Sequence, residues 1–211
     1  MSPIWLNLGS GPHAVDGWTN LDRSPAMRLS RQPLLRWMAL RSGLADEANL
    51  PAWSPEVRSC DLRRPLPFED QTVDAIYSSH LLEHLYLREA ERLLDECRRV
   101  LRPGAILRLA LPDFTDIAGR VVDEPDDAEV ARRANHDLYA HPADRPHGLG
   151  RVRHALSGAY HRWQPTAAFV TELMRGAGFT EVTERSFQQG ELPDVAHVET
   201  RPESFFLETH R

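Results

Sequence analysis

Residues 73–111 constrain the fold more than any other stretch. Val73-Asp74-Ala75-Ile76-Tyr77-Ser78-Ser79 reads as a strand. From 81 to 101, Leu82, Leu85, Leu93, Leu94, Cys97 and Leu101 fall on one stripe at the 3.6-residue period. On the opposite face Asp95 and Glu96 precede Arg98 and Arg99 at the spacing that supports helical ion pairs. Pro103-Gly104 stops that helix, and residues 105–111 read as the next strand. Strand, helix and strand in this order point to an α/β fold with a mostly parallel sheet.

The rest of the chain extends the pattern. Residues 4–8, 18–22 and 57–62 read as strands, and 25–50 as one or two amphipathic helices. A helix is expected after Pro112-Asp113 to about Val122, and another over 165–176, closed by Gly176 and Gly178. Strands near 179–187 and 203–209 have no strong helix between them, which fits an antiparallel final pair. Residues 123–162 are polar and rich in Pro and His, and match no pattern. The 211 residues are read as one domain, with insertions at about 25–50 and 123–162. One tension stands out: only residues 9–17 separate the first two strands, whereas a parallel crossover normally takes a dozen or more. Either that connection is an abbreviated turn or the second strand lies elsewhere.

Composition excludes several classes. The net charge of -6 argues against a partner held by phosphate contacts. All 25 residues counted as Lys+Arg are arginine, which excludes Schiff-base chemistry and a Walker-type lysine. No apolar run approaches the ~20 residues of a membrane span. Met1 to Leu8 shows no basic region or cleavage site, so a signal peptide is not expected and a cytoplasmic location is. Cys60 and Cys97 are expected to be reduced thiols.

Ligands of open α/β sheets bind beyond the C-terminal ends of the strands. Here those ends carry Gly9-Ser10-Gly11, Asp22, Asp61 and Ser78-Ser79-His80. The glycines let a ligand approach the backbone. A carboxylate at Asp22 suits a pair of ribose hydroxyls, and Asp61 suits an exocyclic adenine amine. Position 14 is Ala, so no third glycine completes a pyrophosphate loop, which favours a nucleoside without phosphates. Taken singly, Gly-x-Gly is an ordinary turn and either acid an ordinary cap; the weight comes from their joint placement.

Three segments carry a family likeness. Leu6-Asn7-Leu8-Gly9-Ser10-Gly11 resembles motif I of the class I S-adenosylmethionine-dependent methyltransferases. Asp74 through Leu85, with Ser79-His80-Leu81-Leu82-Glu83-His84, resembles their fourth-strand signature. Arg99-Val100-Leu101-Arg102-Pro103-Gly104-Ala105 resembles the run into their fifth strand. The chain looks like a bacterial methyltransferase type 11-like subgroup often linked to polysaccharide or other secondary biosynthesis. The resemblance implies a Rossmann-like fold, a mostly parallel sheet with an antiparallel last strand, and helical cap insertions. It implies S-adenosylmethionine as cofactor and S-adenosylhomocysteine as product. Carried over position by position, Gly9 and Gly11 would flank the methionine part, with Asn7 and Ser10 of the same motif also binding the cofactor, Asp22 would take the ribose, Asp61 and Leu62 the adenine, and Ser79 and His80 the face near the sulfonium.

Methyl transfer is an in-line displacement with a neutral leaving group, so much of its catalysis can be positioning. An alcohol or protonated amine acceptor needs a base; a carboxylate does not. Among 10 histidines, His80, His84 and His161 are the catalytic candidates. His80 is read either as a base, kept neutral by the N-terminus of the helix that follows, or as a group that orients the cofactor. His84, one turn on, is read as a pocket residue or a buried structural one, and His161 beside Trp163 as lining the acceptor pocket. The spacings of His136, His141, His147, His154 and His161 do not resemble a zinc site, so no metal is expected. The arginine-rich stretch Arg28–Arg41 is read as a lid packing its Leu/Trp face on the domain, or as a cap or membrane-surface patch. The expected partner is a small molecule such as a saccharide or secondary metabolite, methylated on O, N or carboxyl. No nucleic acid and no integral membrane segment are expected, and a homodimer is possible. The competing function is a cofactor-binding module with a regulatory role.

Overall fold

The computed structural model describes residues 2–47, 50–139 and 160–211. Its centre is a seven-stranded sheet in the order β3-β2-β1-β4-β5-β7-β6. The strands are β1 (Trp5–Leu8), β2 (Thr19–Asp22), β3 (Arg58–Ser59), β4 (Val73–Ser79), β5 (Leu101–Pro112), β6 (Val182–Arg185) and β7 (Ser204–His210). β7 runs antiparallel to both β5 and β6, and every other pair is parallel. The helices are α1 (Pro25–Ser30), α2 (Pro33–Arg41), α3 (Leu87–Val100), α4 (Phe114–Asp123), α5 (Ala128–Tyr139), α6 (Ala167–Gly176) and α7 (Val195–Val198). The third strand is much shorter than the expected 57–62, so Asp61 lies in a turn beyond it.

Strand alternation builds two cores. Leu6, Leu8, Ile76, Leu107, Leu109 and Leu207 face one side, where Leu93, Leu94 and Cys97 of α3 and Val170 and Met174 of α6 cover them. Burying a leucine of this kind contributes about 1.5–3 kcal/mol. The other face is thinner: Ala75, Tyr77, Ala110 and Phe206 lie under Trp18, Leu192 and Val198. Into that second face β5 also turns Arg108, fully buried, and Glu208 stands opposite it on β7. The two cysteines are free thiols, Cys97 in the core.

The connection from β1 to β2 is an abbreviated turn without a helix, and the two strands pair in parallel, Leu6 opposite Thr19. Asn20 makes this feasible. Its Oδ1 accepts from Asn7 Nδ2 at 3.0 Å and from the Val15 N–H at 3.1 Å. Its Nδ2 donates to the carbonyls of Val15 and Trp18, both at 3.0 Å. One buried amide thereby replaces a helix in satisfying the turn's polar groups. Trp18 then packs on Trp5, ring centroids 5.6 Å apart.

Two expectations need correcting. The helix read over 81–101 begins at Leu87; before it come a left-handed His80 at φ 48, one 3₁₀ turn at Leu82–His84 and an extended Leu85. The reason lies in the partners of the local carbonyls. Those of Glu83, His84 and Leu85 accept from the Arg162 N–H (2.7 Å), Arg162 Nε (3.0 Å) and Trp163 Nε1 (3.2 Å) rather than from a following helical turn. Helix α3 starts only where Glu89 caps it by accepting from the Tyr86 N–H. The second correction concerns α2, whose Leu/Trp face does not pack on the domain. Leu34 and Trp37 are 68% and 59% exposed, and the buried residues of the pair are Ala26, Met27 and Ala39.

Candidate active site

At the C-terminal ends of β1, β2 and β4 the chain leaves a cavity of about 490 Å³. Its size falls within the range of small-molecule sites, about 300–1,000 Å³. Gly9, Asp22, Cys60, Asp61, Leu62, Arg63, His80, Leu81, His84 and Leu85 line it. Ser24, Pro25 and Arg28 stand at one rim, and Tyr160 and Arg162 at another.

Gly9 ends β1 at φ +73, and its N–H donates to the Leu21 carbonyl at 2.8 Å. A Cβ there would meet Leu81 Cβ at 3.0 Å. Gly11, also left-handed at φ +66, has open space where its Cβ would be, and its N–H donates to Asp22 Oδ2 at 3.1 Å. Asp22 Oδ1 accepts from the Ser24 N–H at 2.7 Å. Asp22 therefore ties the glycine loop to the end of β2, and each of its oxygens keeps a lone pair for a ligand donor.

Asp61 is more heavily engaged than a lone acceptor. Arg63 donates to both of its oxygens, at 2.8 and 3.0 Å, and Arg23 Nη1 lies 2.6 Å away. The Arg63 hydrogen bond, helped by Arg23, holds the carboxyl down at about 2. Any amine that approaches Asp61 shares it with these guanidinium groups.

Of the sequence candidates, Gly9, Asp22, Asp61, Leu62, His80 and His84 line the cavity together. Asn7 is buried and spends its amide on Asn20. Ser10, Gly11 and Ser79 are not among the lining residues, and neither is His161, which stands edge-on to His84 with ring centroids 5.1 Å apart. Sequence reasoning did not single out Cys60, Arg23, Arg63, Tyr160, Arg162 or Glu83 as site residues. The one signal for Glu83 was an acid set between apolar Leu82 and Leu85 in the His-x-x-Glu-His run.

Both cavity histidines are neutral at ordinary pH. His80 is 12% exposed; its N–H donates to the Ala110 carbonyl, and Nε2 lies 2.8 Å from Ser204 Oγ. Burial pushes its pKa down to about 3, with the Arg201 charge adding to the effect. No helix begins behind it, so the expected dipole is not the cause. Burial likewise lowers His84 to about 4. His84 Nδ1 donates to the Tyr160 carbonyl at 2.9 Å, which leaves Nε2 as the lone-pair nitrogen.

Comparison with known proteins fits this geometry. Residues 17–109 match the methyltransferase domain family. That match covers under half of the 211 residues. The chain is similar to an uncharacterized 37.1 kDa protein in a transposon of Streptomyces fradiae, 31% identical over 207 residues and 90% of this chain. The chain spans only 54% of that relative's length. In fold the chain is similar to the PH0226 protein of Pyrococcus horikoshii, with a TM-score of 0.53, 18% identity and coverage of 100% of this chain and 82% of the other. It is also similar to an S-adenosylmethionine-dependent methyltransferase of Mesorhizobium loti, with a TM-score of 0.52, 16% identity and coverage of 100% and 91%. Among the described residues no helix is long and apolar enough to cross a membrane.

Proposed function

We propose that the chain transfers the methyl group of S-adenosylmethionine to a small-molecule acceptor, an alcohol, amine or carboxylate on a saccharide or secondary metabolite. The observation that carries this reading is the Asp22 carboxylate. It is pinned to the glycine loop and opens onto a cavity that two neutral histidines also line. The donor set fits the cofactor. Asp22 offers lone pairs to two ribose hydroxyls, Gly9 lines the cavity packed against Leu81, and Leu62 with Cys60 forms an apolar side for adenine. Asp61 keeps Arg23 and Arg63 along that side and takes the adenine amine on a remaining lone pair.

The cofactor supplies an electrophilic methyl on a sulfonium, which leaves as a neutral thioether. What the protein adds is alignment and exclusion of water. His80, hydrogen-bonded to Ser204 and set at φ 48, is held in one orientation at the methyl end. With its pKa near 3 it is a weak acceptor of protons at neutral pH, so His80 orients the acceptor or cofactor rather than removing a proton. Of the two expected caps, 25–50 contributes Pro25 and Arg28 to the cavity lining; 123–162 falls partly outside the described residues, and its described end contributes Tyr160 and Arg162. Calorimetry with S-adenosylhomocysteine tests the reading: binding is expected in the native chain and lost or much weakened in Asp22→Ala. Unchanged affinity in that variant would refute the ribose assignment. Release of S-adenosylhomocysteine with candidate acceptors then identifies the substrate.

A further inference from the structure

Behind the cavity wall lies a cluster that cofactor binding does not use. Glu83 is 0% exposed, and among the described residues neither of its carboxylate oxygens has a hydrogen-bond partner. Burying such a group without partners is costly. Around it stand His80 Nδ1 at 3.6 Å from Oε1 and His84 Nε2 at 4.0 Å, both beyond hydrogen-bonding distance. His161 adds a buried Nδ1 that also has no hydrogen-bond partner among the described residues. Glu83, His84 and His161 each bring one ligand-type atom to within 4.8 Å of the other two.

We propose that Glu83, His84 and His161 bind a divalent cation of the zinc type. Two imidazoles and a carboxylate suit zinc and its transition-metal neighbours better than magnesium, which prefers oxygen and water. The outer contacts have the right form. His84 Nδ1–H donates to the Tyr160 carbonyl, which fixes the tautomer and leaves Nε2 facing Glu83. Gln164 hydrogen-bonds the His161 ring. The backbone is fastened from both sides, because the Arg162 N–H donates to the Glu83 carbonyl at 2.7 Å. Donor atoms around a tetrahedral zinc are about 3.4 Å apart at ~2.1 Å bonds, so the cation draws this trio inward by side-chain rotation alone.

Such a cation joins the turn after β4 to the segment 160–163, two pieces of chain far apart in sequence. It also places positive charge behind His84, which lines the cavity. That charge favours an acceptor that is anionic where it receives the methyl, a carboxylate or an ionised hydroxyl. This last step rests on the methyltransferase reading; the cation site does not.

The test uses the full chain, stripped with chelator and titrated with Zn²⁺ by calorimetry and with Co²⁺ by visible absorption. Expected are one saturable site and the intense d–d bands of low-symmetry Co²⁺. Glu83→Gln and His161→Gln, which keep side-chain volume, should each weaken binding by at least the ~10–100-fold that loss of even an outer-shell partner costs. Far-UV circular dichroism verifies that each variant is folded. Absence of saturable binding overturns the proposal. So does undiminished affinity in both folded variants, which would place the metal on other histidines. S-adenosylhomocysteine calorimetry runs in parallel on the same samples. Zinc binding without nucleoside binding supports the site while refuting the cofactor reading, and nucleoside binding without zinc does the reverse.

Discussion

Replacing Arg108 by leucine should destabilise this protein more than any substitution in its cavity. Arg108 is completely buried on β5, and all five of its N–H donors are used. Nε and Nη2 hold Glu199, the latter at 3.1 Å; Nη1 holds Glu208 at 3.0 Å. The remaining two donate to the carbonyls of Gln189 at 2.9 Å and Ser186 at 3.0 Å. Leucine keeps some apolar volume but strands two carboxylates whose side chains are 0% and 1% exposed, along with two carbonyls. Removing one partner of a buried ion pair costs about 3–5 kcal/mol. Glu208 retains the Glu191 N–H and the Arg185 guanidinium, and Glu199 the Gln188 N–H, so the loss should stay within that range rather than double it. Since whole domains hold only about 5–15 kcal/mol, the variant should be marginal. Urea unfolding followed by circular dichroism measures the difference. A triple variant in which Glu199 and Glu208 are also made glutamine should regain part of the stability, because amides cost less to bury than charges. A loss below about 1 kcal/mol in Arg108→Leu would refute the view that this triad sets the stability of the thinner face.

Other outcomes follow from the site. Asn20→Ala removes four hydrogen bonds that organise the β1–β2 turn and should cost at least about 1–3 kcal/mol, measured by thermal unfolding; nucleoside affinity should fall with it. Gly9→Ala imposes φ +73 on a residue with a Cβ and presses on Leu81; a loss of about 1–2 kcal/mol is expected, and a neutral change would speak against the loop geometry. Asp61, held near 2 by Arg63, stabilises the fold above its unfolded pKa of about 3.9, and that contribution disappears as the pH falls from there toward 2. Carboxyl NMR should find it titrating near 2 in the native chain and higher in Arg63→Ala; a value near 4 in both would contradict the pairing. His80→Gln should lower turnover while leaving cofactor affinity within about twofold, as a group acting only near the reacting centre does.

The alternating strands and helices were legible because period and length are local properties. Gly9 and Asp22 were legible at the ends of β1 and β2 because turn residues and strand period are local; Asp61 was read at the end of a strand over 57–62, whereas β3 stops at Ser59. The β1–β2 turn was not legible, since nothing in Val15 or Trp18 announces that Asn20 will satisfy them. Nor was the start of α3: Leu82 and Leu85 continue the helical stripe, and only Arg162 and Trp163, some eighty positions away, take the carbonyls that a helix would have used. Glu83 showed only its place between Leu82 and Leu85 for the same reason, because the Arg162 N–H that holds its carbonyl lies far along the chain. Arg108 read as one polar residue within a strand; its partners lie on β7 and in the segment before it.

The short connection between β1 and β2 has a consequence for the heat of ligand binding. Its glycine loop is anchored at Leu21, at Asn20 and at Asp22 before any nucleoside arrives. Ordering that segment is completed during folding, so binding immobilises little further backbone. The association should therefore carry a heat-capacity decrement that tracks the apolar surface buried against Leu62 and Leu81, without the large opposing entropy of a loop that must first be caught.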